Sequence, residues 1–341
     1  MAGVSAGTVD RVLHNRGRVS EEALQKVLNV LNQIDYKPNL IARSLGAKKN
    51  YRIAVLVPNP DQDPYWALCS SGIEQAIGEW VQYGITVETH SFDFFDNSGY
   101  EAIARQACES APDGMLIAPI YYHETLPIFQ MLKQASIPYV LFNTNIPEAE
   151  PLSFIGQDLY QSGKVGAELL CIGQEDHGTL AVFHIYEDIQ NSIHLVEKEK
   201  GFRKYIEEKK KGFNVVTIDL ASHNEAVIEE KILPVLHDPL LKGIYTSTSS
   251  GSFLVASFLE KHNKGDIRLV GYDMLDKNLH YLKSGTIDFL INQNPKRQAF
   301  LGISHLANHL LFRKEAPTHS LFPLEVITQQ NVDSYLKSAI L

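Results

Sequence analysis

From Tyr51 onward the sequence alternates short apolar runs with amphipathic stretches, and this alternation constrains the fold more than any other feature. The apolar runs, in chain order, are RIAVLVP (52–58), TVETHSF (86–92), GMLIAP (114–119), YVLFN (139–143), SFIG (153–156), TLAVFHI (179–185), NVVTIDL (214–220), GIYTS (243–247), RLVGYD (268–273) and DFLINQ (288–293). Near-continuous apolar strands separated by helices are typical of parallel sheets covered on both faces. Ten strands in two sets of five predict an α/β protein with two doubly wound parallel-sheet lobes.

The polar residues that follow these runs are the candidates for a binding site. Doubly wound sheets bind ligands at the carboxyl ends of their strands. The length of 341 residues also fits more than one domain, because a single hydrophobic core stops growing at about 250–300 residues.

The first fifty residues differ from the rest in charge and in periodicity. They carry a net charge of +4, whereas the remaining 291 residues carry −13. Such a basic module on an acidic body favours a polyanionic partner contacted by one end of the molecule. The spacing of apolar residues predicts a short helix capped by Ser5 and a second, amphipathic helix capped by Ser20, with Pro38 ending the unit.

Several features of the sequence bear on cellular location. No run of about 20 apolar residues is present, so we expect no membrane-spanning segment and no membrane partner. The N-terminal stretch has polar residues and Arg11 where a secretory signal needs its apolar core. The three cysteines, Cys69, Cys108 and Cys171, are far apart and odd in number. They fit buried thiols in a reducing cytoplasm better than a disulfide framework or a metal cluster.

The N-terminal segment resembles the DNA-binding headpiece of the LacI family of repressors. The matching parts are AGVS (2–5), TV and RVL within 8–13, RVS (18–20), YKPN (36–39) and residues 42–45. The resemblance implies a small all-α, partial helix-turn-helix head at residues 1–37, whose recognition helix enters the major groove. It implies a hinge helix and linker at 38–50. The implied DNA contacts are Ser5, Ala6, Gly7, Thr8, Arg11, Asn15, Asn39, Ala42 and Leu45.

Within that head, the resemblance places Ala6, Gly7 and Arg11 at base edges. Arg11 suits direct readout because its guanidinium can bind guanine O6 and N7 together. The alternative for Arg11 is an exposed helix residue paired with a nearby glutamate. The resemblance makes Leu45 a wedge between base pairs in the minor groove, and its alternative is a linker residue packed on the core.

The family headpiece opens with a complete helix before the AGVS segment, where this sequence has only Met1. We expect a chain that begins there to have a poorly folded head and to bind DNA weakly.

The remainder resembles the type I periplasmic-binding fold that these repressors share with bacterial sugar-binding proteins. The resemblance implies an N-terminal lobe at 51–160 plus 294–325 and a C-terminal lobe at 161–293 plus 326–341. It implies three crossings between the lobes, near 158–163, 292–296 and 324–328.

In the first lobe the ligand candidates follow the first and fourth strands. Asp63, Tyr65 and Trp66 belong to a segment similar to the Asn-Pro-Phe-Phe motif of ribose-type receptors. Aromatic faces stack on the apolar face of a sugar ring while adjacent polar groups bind its hydroxyls. The alternative is that both rings cap the core. Asn143 stands where the family has a ligand-facing aspartate, and Thr144 replaces an arginine of the ribose receptors, which puts pentose specificity in doubt.

In the second lobe the resemblance implies that Lys198, Ser249, Asp273 and Gln293 face the ligand. Asp273 and Gln293 end apolar strands, where a buried polar side chain needs a partner, although that partner could also lie in the core. Lys198 could instead belong to a solvated helix, and the nearby His194 could be a structural histidine. Ser249 stands where the family commonly has asparagine.

Together these residues predict a transcriptional regulator whose affinity for operator DNA is controlled by a neutral polyol, a monosaccharide or cyclitol, bound between the lobes. We expect a homodimer and no cofactor or metal. One alternative is a sugar receptor without a DNA-binding role, which would have no use for a basic head. The other is an enzyme, which the absence of GxGxxG, Walker and GxSxG motifs disfavours.

Overall fold

The computed structural model describes residues 2–13, 17, 19–33, 50–175, 177–209 and 212–337. The chain divides into two compact units, Met1–Lys49 and Asn50–Leu341.

In the N-terminal unit the described residues form helix α1 (Ala6–Leu13) and helix α2 (Glu21–Gln33). The hydroxyl of Ser5 accepts a hydrogen bond from the backbone N–H of Thr8 at 3.2 Å. This bond satisfies one of the free donors in the first turn, and it confirms the predicted cap. Val27 of α2 is buried, at 1% exposed.

The larger unit contains two sheets, and the first is wholly parallel. Its strands lie in the order β11-β5-β4-β3-β1-β2. They are β1 (Tyr51–Pro58), β2 (Ile85–Phe92), β3 (Gly114–Ile117), β4 (Tyr139–Asn143), β5 (Ser153–Gly156) and β11 (His319–Leu321). The helices of this lobe are α3 (Pro64–Trp80), α4 (Tyr100–Glu109), α5 (Tyr122–Ala135) and α11 (Pro295–Phe312).

The second sheet repeats this plan in the order β12-β10-β9-β8-β6-β7. Its strands are β6 (His177–Ile185), β7 (Gly212–Leu220), β8 (Leu241–Thr246), β9 (Arg268–Tyr272), β10 (Phe289–Asn292) and β12 (Glu325–Ile327), of which only β12 is antiparallel to its neighbour. Its helices are α6 (Leu159–Cys171), α7 (Ile193–Glu208), α8 (Glu225–Leu236), α9 (Ser249–Lys261), α10 (Asp276–Ser284) and α12 (Val332–Lys337). The predicted fold class, two doubly wound α/β lobes, is confirmed.

Two strands were not predicted. β11 and β12 are three residues each, and neither has a continuous buried run. Each lies at the edge of its sheet beside one neighbour, so neither has the apolar pattern of a strand covered on both faces.

Glycines allow the helices that carry the site to approach their neighbours closely. A Cβ on Gly201 of α7 would lie 1.8 Å from the carbonyl oxygen of Tyr160 in α6. A Cβ on Gly163 of α6 would lie equally close to the carbonyl of Lys198 in α7, at 1.8 Å. In the first lobe, Gly72 of α3 meets the carbonyl of Lys296 in α11 in the same way.

The chain passes between the two sheets at three places, and one side chain joins them. Gln157 follows β5 and is 3% exposed. Its amide nitrogen donates to the carbonyl oxygens of Asn292 and Pro323, each at 2.9 Å. The carbonyl of Asn292 ends β10 and that of Pro323 lies between β11 and β12, so Gln157 ties the three connecting segments together.

Within the described residues, no helix combines the length and the apolar character that crossing a bilayer requires. Cys69, Cys108 and Cys171 are all buried free thiols.

Candidate functional site

The carboxyl ends of the strands in the two lobes face a shared cleft, which contains two adjoining cavities. The inner cavity has an empty volume of about 480 Å³. Seven of the predicted ligand residues line it: Asp63, Tyr65, Trp66, Asn143, Lys198, Ser249 and Gln293. The outer cavity, of about 610 Å³, lies at the mouth between residues 94–97 and 120–121 of the first lobe and residues 186–192 and 221–223 of the second.

Asp63 connects the two lobes at the inner cavity. It caps α3, because its Oδ1 accepts a hydrogen bond from the N–H of Tyr65 at 2.8 Å, and Pro64 starts the helix. Its Oδ2 accepts a hydrogen bond from the hydroxyl of Ser250 in the second lobe at 2.5 Å. Burial raises the pKa of Asp63, and the charge of Glu187 raises it further. The two lobes are therefore in contact across the cleft.

Tyr65 and Trp66 form one wall of the cavity. Their rings meet edge to face with centroids 5.0 Å apart, a favourable arrangement of aromatic quadrupoles. Trp66 also packs edge to face on Phe142 at 6.1 Å. Both rings are buried, so they combine the two predicted alternatives: they close the core of the first lobe and they line the cavity.

Asn143 ends β4 in a left-handed backbone conformation, with φ of 68°. Its side-chain nitrogen donates to the hydroxyl oxygen of Tyr65 at 2.6 Å. Its backbone N–H donates to Oε1 of Gln298 at 3.0 Å, and its Oδ1 accepts from Thr144 at 2.9 Å. These bonds fix the position of the amide at the cavity wall.

Lys198 supplies a buried ammonium group in the second lobe. It is 2% exposed, so it does not belong to a solvated helix face. Its Nζ donates to the carbonyl of Ser247 at 2.9 Å and lies 3.7 Å from the ring centroid of Tyr272. Burial lowers the pKa of Lys198 to about 8, although the charges of Asp273 and Glu187 oppose that shift.

Asp273 lies behind the cavity wall. It has φ of 61° and is 0% exposed. Its carboxylate accepts hydrogen bonds from the hydroxyl of Ser249, at 2.6 Å, and from the side-chain and backbone nitrogens of Gln293, at 2.6 and 2.8 Å. Burial raises the pKa of Asp273, and these donors oppose the shift. Asp273 is not among the cavity-lining residues, and it orients two residues that are.

The polar residues that sequence reasoning did not assign to the ligand lie directly after β6 and after β8. They are Tyr186, Glu187, Ser247, Thr248 and Ser250, and all line the inner cavity. The rule that ligands meet the carboxyl ends of strands applies to them as well, and it could have identified them.

Glu187 and His194 form an ion-pair contact at 3.1 Å between Oε2 and Nε2. Burial on its own would raise the pKa of Glu187, but His194 and Lys198 outweigh it, so this pKa lies below its ordinary value. His194 lines the cavity, and its Nδ1 has no hydrogen-bond partner among the described protein atoms.

A buried polar chain runs from the cavity to the outside of the second lobe. The hydroxyl of Ser247 lies 2.7 Å from Nδ1 of His184, and Nε2 of His184 lies 2.8 Å from Oε2 of Glu199. Arg203 donates to Oε1 of Glu199 at 2.7 Å. The chain fixes Ser247, whose carbonyl in turn accepts from Lys198.

The arrangement suits a neutral, hydroxyl-rich ligand. Carboxylates, amides and hydroxyls provide acceptors and donors, and aromatic faces provide an apolar wall. Of the Lys and Arg residues that the structure describes, Lys198 alone lines the inner cavity, whereas Asp63 and Glu187 both face it, which disfavours an anionic ligand. In the part of the chain that the structure describes, no three His, Cys, Asp or Glu side chains gather as a metal site would need.

In the N-terminal unit, the predicted DNA contacts Ser5, Ala6, Gly7 and Arg11 are exposed, and Thr8 is half-buried. Gly7 and Arg11 are four residues apart in α1 and therefore lie on the same face. Asn15, Asn39, Ala42 and Leu45 lie outside the described residues.

Two family models match this chain, one in each of its two units. A family model described as a periplasmic binding protein domain matches residues 53–314. A second, described as bacterial regulatory proteins of the lacI family, matches residues 1–39.

Individual relatives fit the same assignment. The ribose operon repressor of Halalkalibacterium halodurans is 26% identical over 80% of this chain and 77% of its own. The regulator DegA of Bacillus subtilis is 27% identical over 61% of this chain and 58% of its own. A solved structure assigned to a LacI transcriptional regulator of Bacteroides fragilis is 29% identical, with a TM-score of 0.77 over 84% of this chain and all of that one. The larger unit of the chain is therefore a periplasmic binding protein domain, and it follows an N-terminal segment that matches the lacI family of bacterial regulatory proteins.

Proposed function

We propose that this protein regulates transcription by binding operator DNA through its basic N-terminal head, and that a neutral polyol held between the two lobes controls the affinity. The observation that carries the proposal is the inner cavity, which aromatic rings, amides and carboxylates from both lobes line together. A monosaccharide or a cyclitol has the alternating hydroxyls and the apolar ring face that such a site binds.

Within this proposal, Asp63, Asn143, Lys198, Ser249 and Gln293 bind hydroxyl groups, and Tyr65 and Trp66 contact the apolar face of the ring. Asp273 acts through the residues it orients and also through any ligand hydroxyl that reaches it. The relative named a ribose operon repressor supports a sugar as the effector class.

The head is proposed to bind the major groove through α1, with Ala6, Gly7 and Arg11 at base edges and Ser5, Thr8 and Asn15 at phosphates. The exposure of Arg11 and Gly7 on one helix face supports this role. We further propose that Asn39, Ala42 and Leu45 contact the minor groove and that the lobes follow the domain bounds given above. The protein would act as a cytoplasmic homodimer, because two heads then meet the two half-sites of a pseudo-palindrome.

Calorimetric titration of the full chain tests the effector. The panel is D-ribose, D-arabinose, D-glucose, D-galactose and myo-inositol, with glucose 6-phosphate as an anionic comparison. We expect saturable heat with at least one neutral polyol, none with the phosphate, and at least tenfold weaker binding after Asp63→Asn. Saturable binding of the phosphate alone, or of nothing in the panel, would contradict the proposal.

Fluorescence anisotropy tests the DNA partner with a duplex selected by this protein from a random library. A ligand that closes the lobes changes operator affinity only by its differential affinity for the two states, and the operator changes ligand affinity by the same factor. We expect the polyol that binds in calorimetry to shift the anisotropy midpoint, in either direction. An identical midpoint at saturating polyol would show that the cleft does not regulate the head.

A further inference from the structure

A second contact between the lobes lies away from the inner cavity, at Asn191. This residue belongs to the short 3-10 turn Ile189–Asn191 that precedes α7 in the second lobe. Its Nδ2 donates to Oε2 of Glu124 at 2.7 Å, and its Oδ1 accepts from the backbone N–H of His123 at 2.9 Å. His123 and Glu124 lie in the first turn of α5, in the first lobe. Both ends of the amide are therefore bonded across the cleft.

We propose that Asn191 is a latch residue that holds the two lobes closed without contacting the effector, and so sets the affinity for every effector by the same factor. The proposal rests on the proposed function only in taking the inner cavity as the effector site.

The surroundings of Asn191 are organised for this contact. The other carboxylate oxygen of Glu124 accepts from Asn97 at 2.5 Å, within the first lobe. Glu124 is thereby oriented before the lobes meet. Asn191 is 8% exposed, and a buried amide whose bonds are lost on opening must be rehydrated. An amide that bonds a carboxylate and a free helix N–H together gives the closed state two bonds at one residue.

Asn191 lines the outer cavity and is not among the residues that line the inner one. A ring contact spans the same mouth: Phe95 of the first lobe lies 4.1 Å from His223 of the second, measured between centroids. His223 in turn stacks on Tyr186 at 5.8 Å. The mouth is thus bridged by a polar contact and an aromatic contact that are separate from the Asp63–Ser250 contact inside.

The fraction of protein in the closed form determines the apparent affinity for the effector. When only the closed form binds tightly, the apparent dissociation constant is the intrinsic one divided by the closed fraction. A latch changes that fraction alone. Its loss therefore multiplies the dissociation constants of all effectors by one factor, whereas the loss of a residue that contacts the ligand changes them unequally.

The first test measures closure without any effector. Spin labels on cysteines introduced at the exposed positions Gln75 of α3 and Lys231 of α8 report the distance between the lobes in the full chain by pulsed electron resonance. We expect Asn191→Ala to shift the distance distribution of the ligand-free protein away from the closed distance. Asn97→Ala is the matched control, because it removes a bond to the same Glu124 within one lobe, and we expect a smaller shift. An unchanged distribution in Asn191→Ala would overturn the proposal.

The second test is calorimetry with two or more polyols that bind the wild-type protein. We expect Asn191→Ala to weaken each by the same factor, roughly two- to tenfold, the value of one or two hydrogen bonds in an equilibrium constant. Asn191→Asp should weaken binding at least as much, because it faces Glu124 with a second carboxylate. Asp63→Asn should change the ratio between ligands. Unequal factors in Asn191→Ala would mean that Asn191 contacts the effector, and the latch would be wrong. If no polyol binds, the proposed function fails while the distance measurement still decides the latch.

Discussion

At the scale of single residues, buried charges in the second lobe are balanced by specific neighbours. Asp273 and Lys198 are both fully buried and both contact Gln293, so the carboxylate offsets the ammonium through a shared amide. Glu187 is balanced by His194. Asp63 instead accepts hydrogen bonds from neutral donors, among them Ser250 and the N–H of Tyr65. Burial raises the pKa of Asp63, and the charge of Glu187 adds to the shift, because a buried carboxylate is costly in its charged form.

Glu199 gives a prediction about pH. Burial on its own would raise its pKa, but hydrogen bonds from His184, Thr217 and Arg203 outweigh burial and lower it to about 2, from an ordinary value of 4.5. A pKa that is lower in the folded state stabilises the fold above pH 4.5, and this stabilisation is lost as the pH falls toward 2. We expect Glu199→Gln to lower the free energy of unfolding at pH 7 by about 1–3 kcal/mol.

Urea unfolding of the wild-type protein and of Glu199→Gln at pH 7 and at pH 3.5 measures the effect. The difference between their free energies of unfolding should be smaller at pH 3.5. Glu208→Gln is the control, because Glu208 pairs with Lys164 at a more exposed position of the same helix, and we expect little change. If that difference in the free energy of unfolding stayed constant or grew toward pH 3.5, the charge of the Glu199 carboxylate would not stabilise the fold.

At the scale of elements, the apolar runs predicted the strands that are buried on both faces, and they did not predict the three-residue edge strands β11 and β12. Runs such as RIAVLVP became β1 because a covered parallel strand must be apolar throughout. β11 has exposed residues at both ends, and its pairing with β5 depends on the path of the chain after α11. No local pattern records that path.

At the candidate site, too, some residues were predicted from the sequence and others were missed. The resemblance to sugar-binding proteins implied Lys198 and Gln293 as ligand residues, and the structure places both at the cavity. Ser250 was missed because its importance depends on contact with Asp63, 187 positions away in the chain. Asn191 bonds the other lobe in the same way. Such contacts depend on the closure of two lobes, and no spacing within one segment encodes it.

The contact between α6 and α7 gives a prediction at this scale. Because a Cβ on Gly201 would overlap the carbonyl of Tyr160, Gly201→Ala must separate the two helices and displace α7, which carries Lys198. We expect a loss of about 1–3 kcal/mol or more in the free energy of unfolding, the usual cost of overpacking, with weaker effector binding.

A helical glycine with open space around it is the matched control. Gly78 of α3 has nothing within 4 Å of its Cβ position, so Gly78→Ala should raise stability by about 0.5–1 kcal/mol through helix propensity. Chemical denaturation of the two variants beside wild type measures both effects. Equal stabilities for Gly201→Ala and wild type would mean that the helix contact is looser than the structure has it.

At the scale of the whole molecule, the unit Asn50–Leu341 contains two lobes joined by three connecting segments, and the proposed regulation depends on how those segments bend. Each lobe has its own sheet and its own close helix pair, at Gly72 and at Gly201. The described contacts between the lobes include two polar ones, Asp63 with Ser250 and Asn191 with Glu124 and His123, and the ring contact of Phe95 with His223. The polar groups can bond water instead when the lobes separate, so these contacts are compatible with relative motion of the lobes.

Gln157 is where this arrangement can be tested, because one amide bonds the carbonyls of both other connecting segments. Gln157→Leu leaves those two carbonyls without their donor, and an unsatisfied buried acceptor costs about 1–3 kcal/mol. We expect a lower free energy of unfolding and, in addition, a broader distribution of lobe distances, because the three segments can then bend independently. Spin-label distances between positions 75 and 231 measure the second effect.

Gln174 separates hinge behaviour from the general cost of losing an amide. Its side chain also donates to two carbonyls, those of Leu170 at 2.7 Å and Lys242 at 3.3 Å, but both lie within the second lobe. Gln174→Leu should therefore lower stability and leave the distance distribution unchanged. If both variants broadened the distance distribution equally, Gln157 would not be what restrains the three connecting segments. The change in lobe distance would then have to arise within the lobes themselves. A broadening confined to Gln157→Leu would place the joint between the lobes in the three connecting segments, because Gln157 bonds the carbonyls of both other segments.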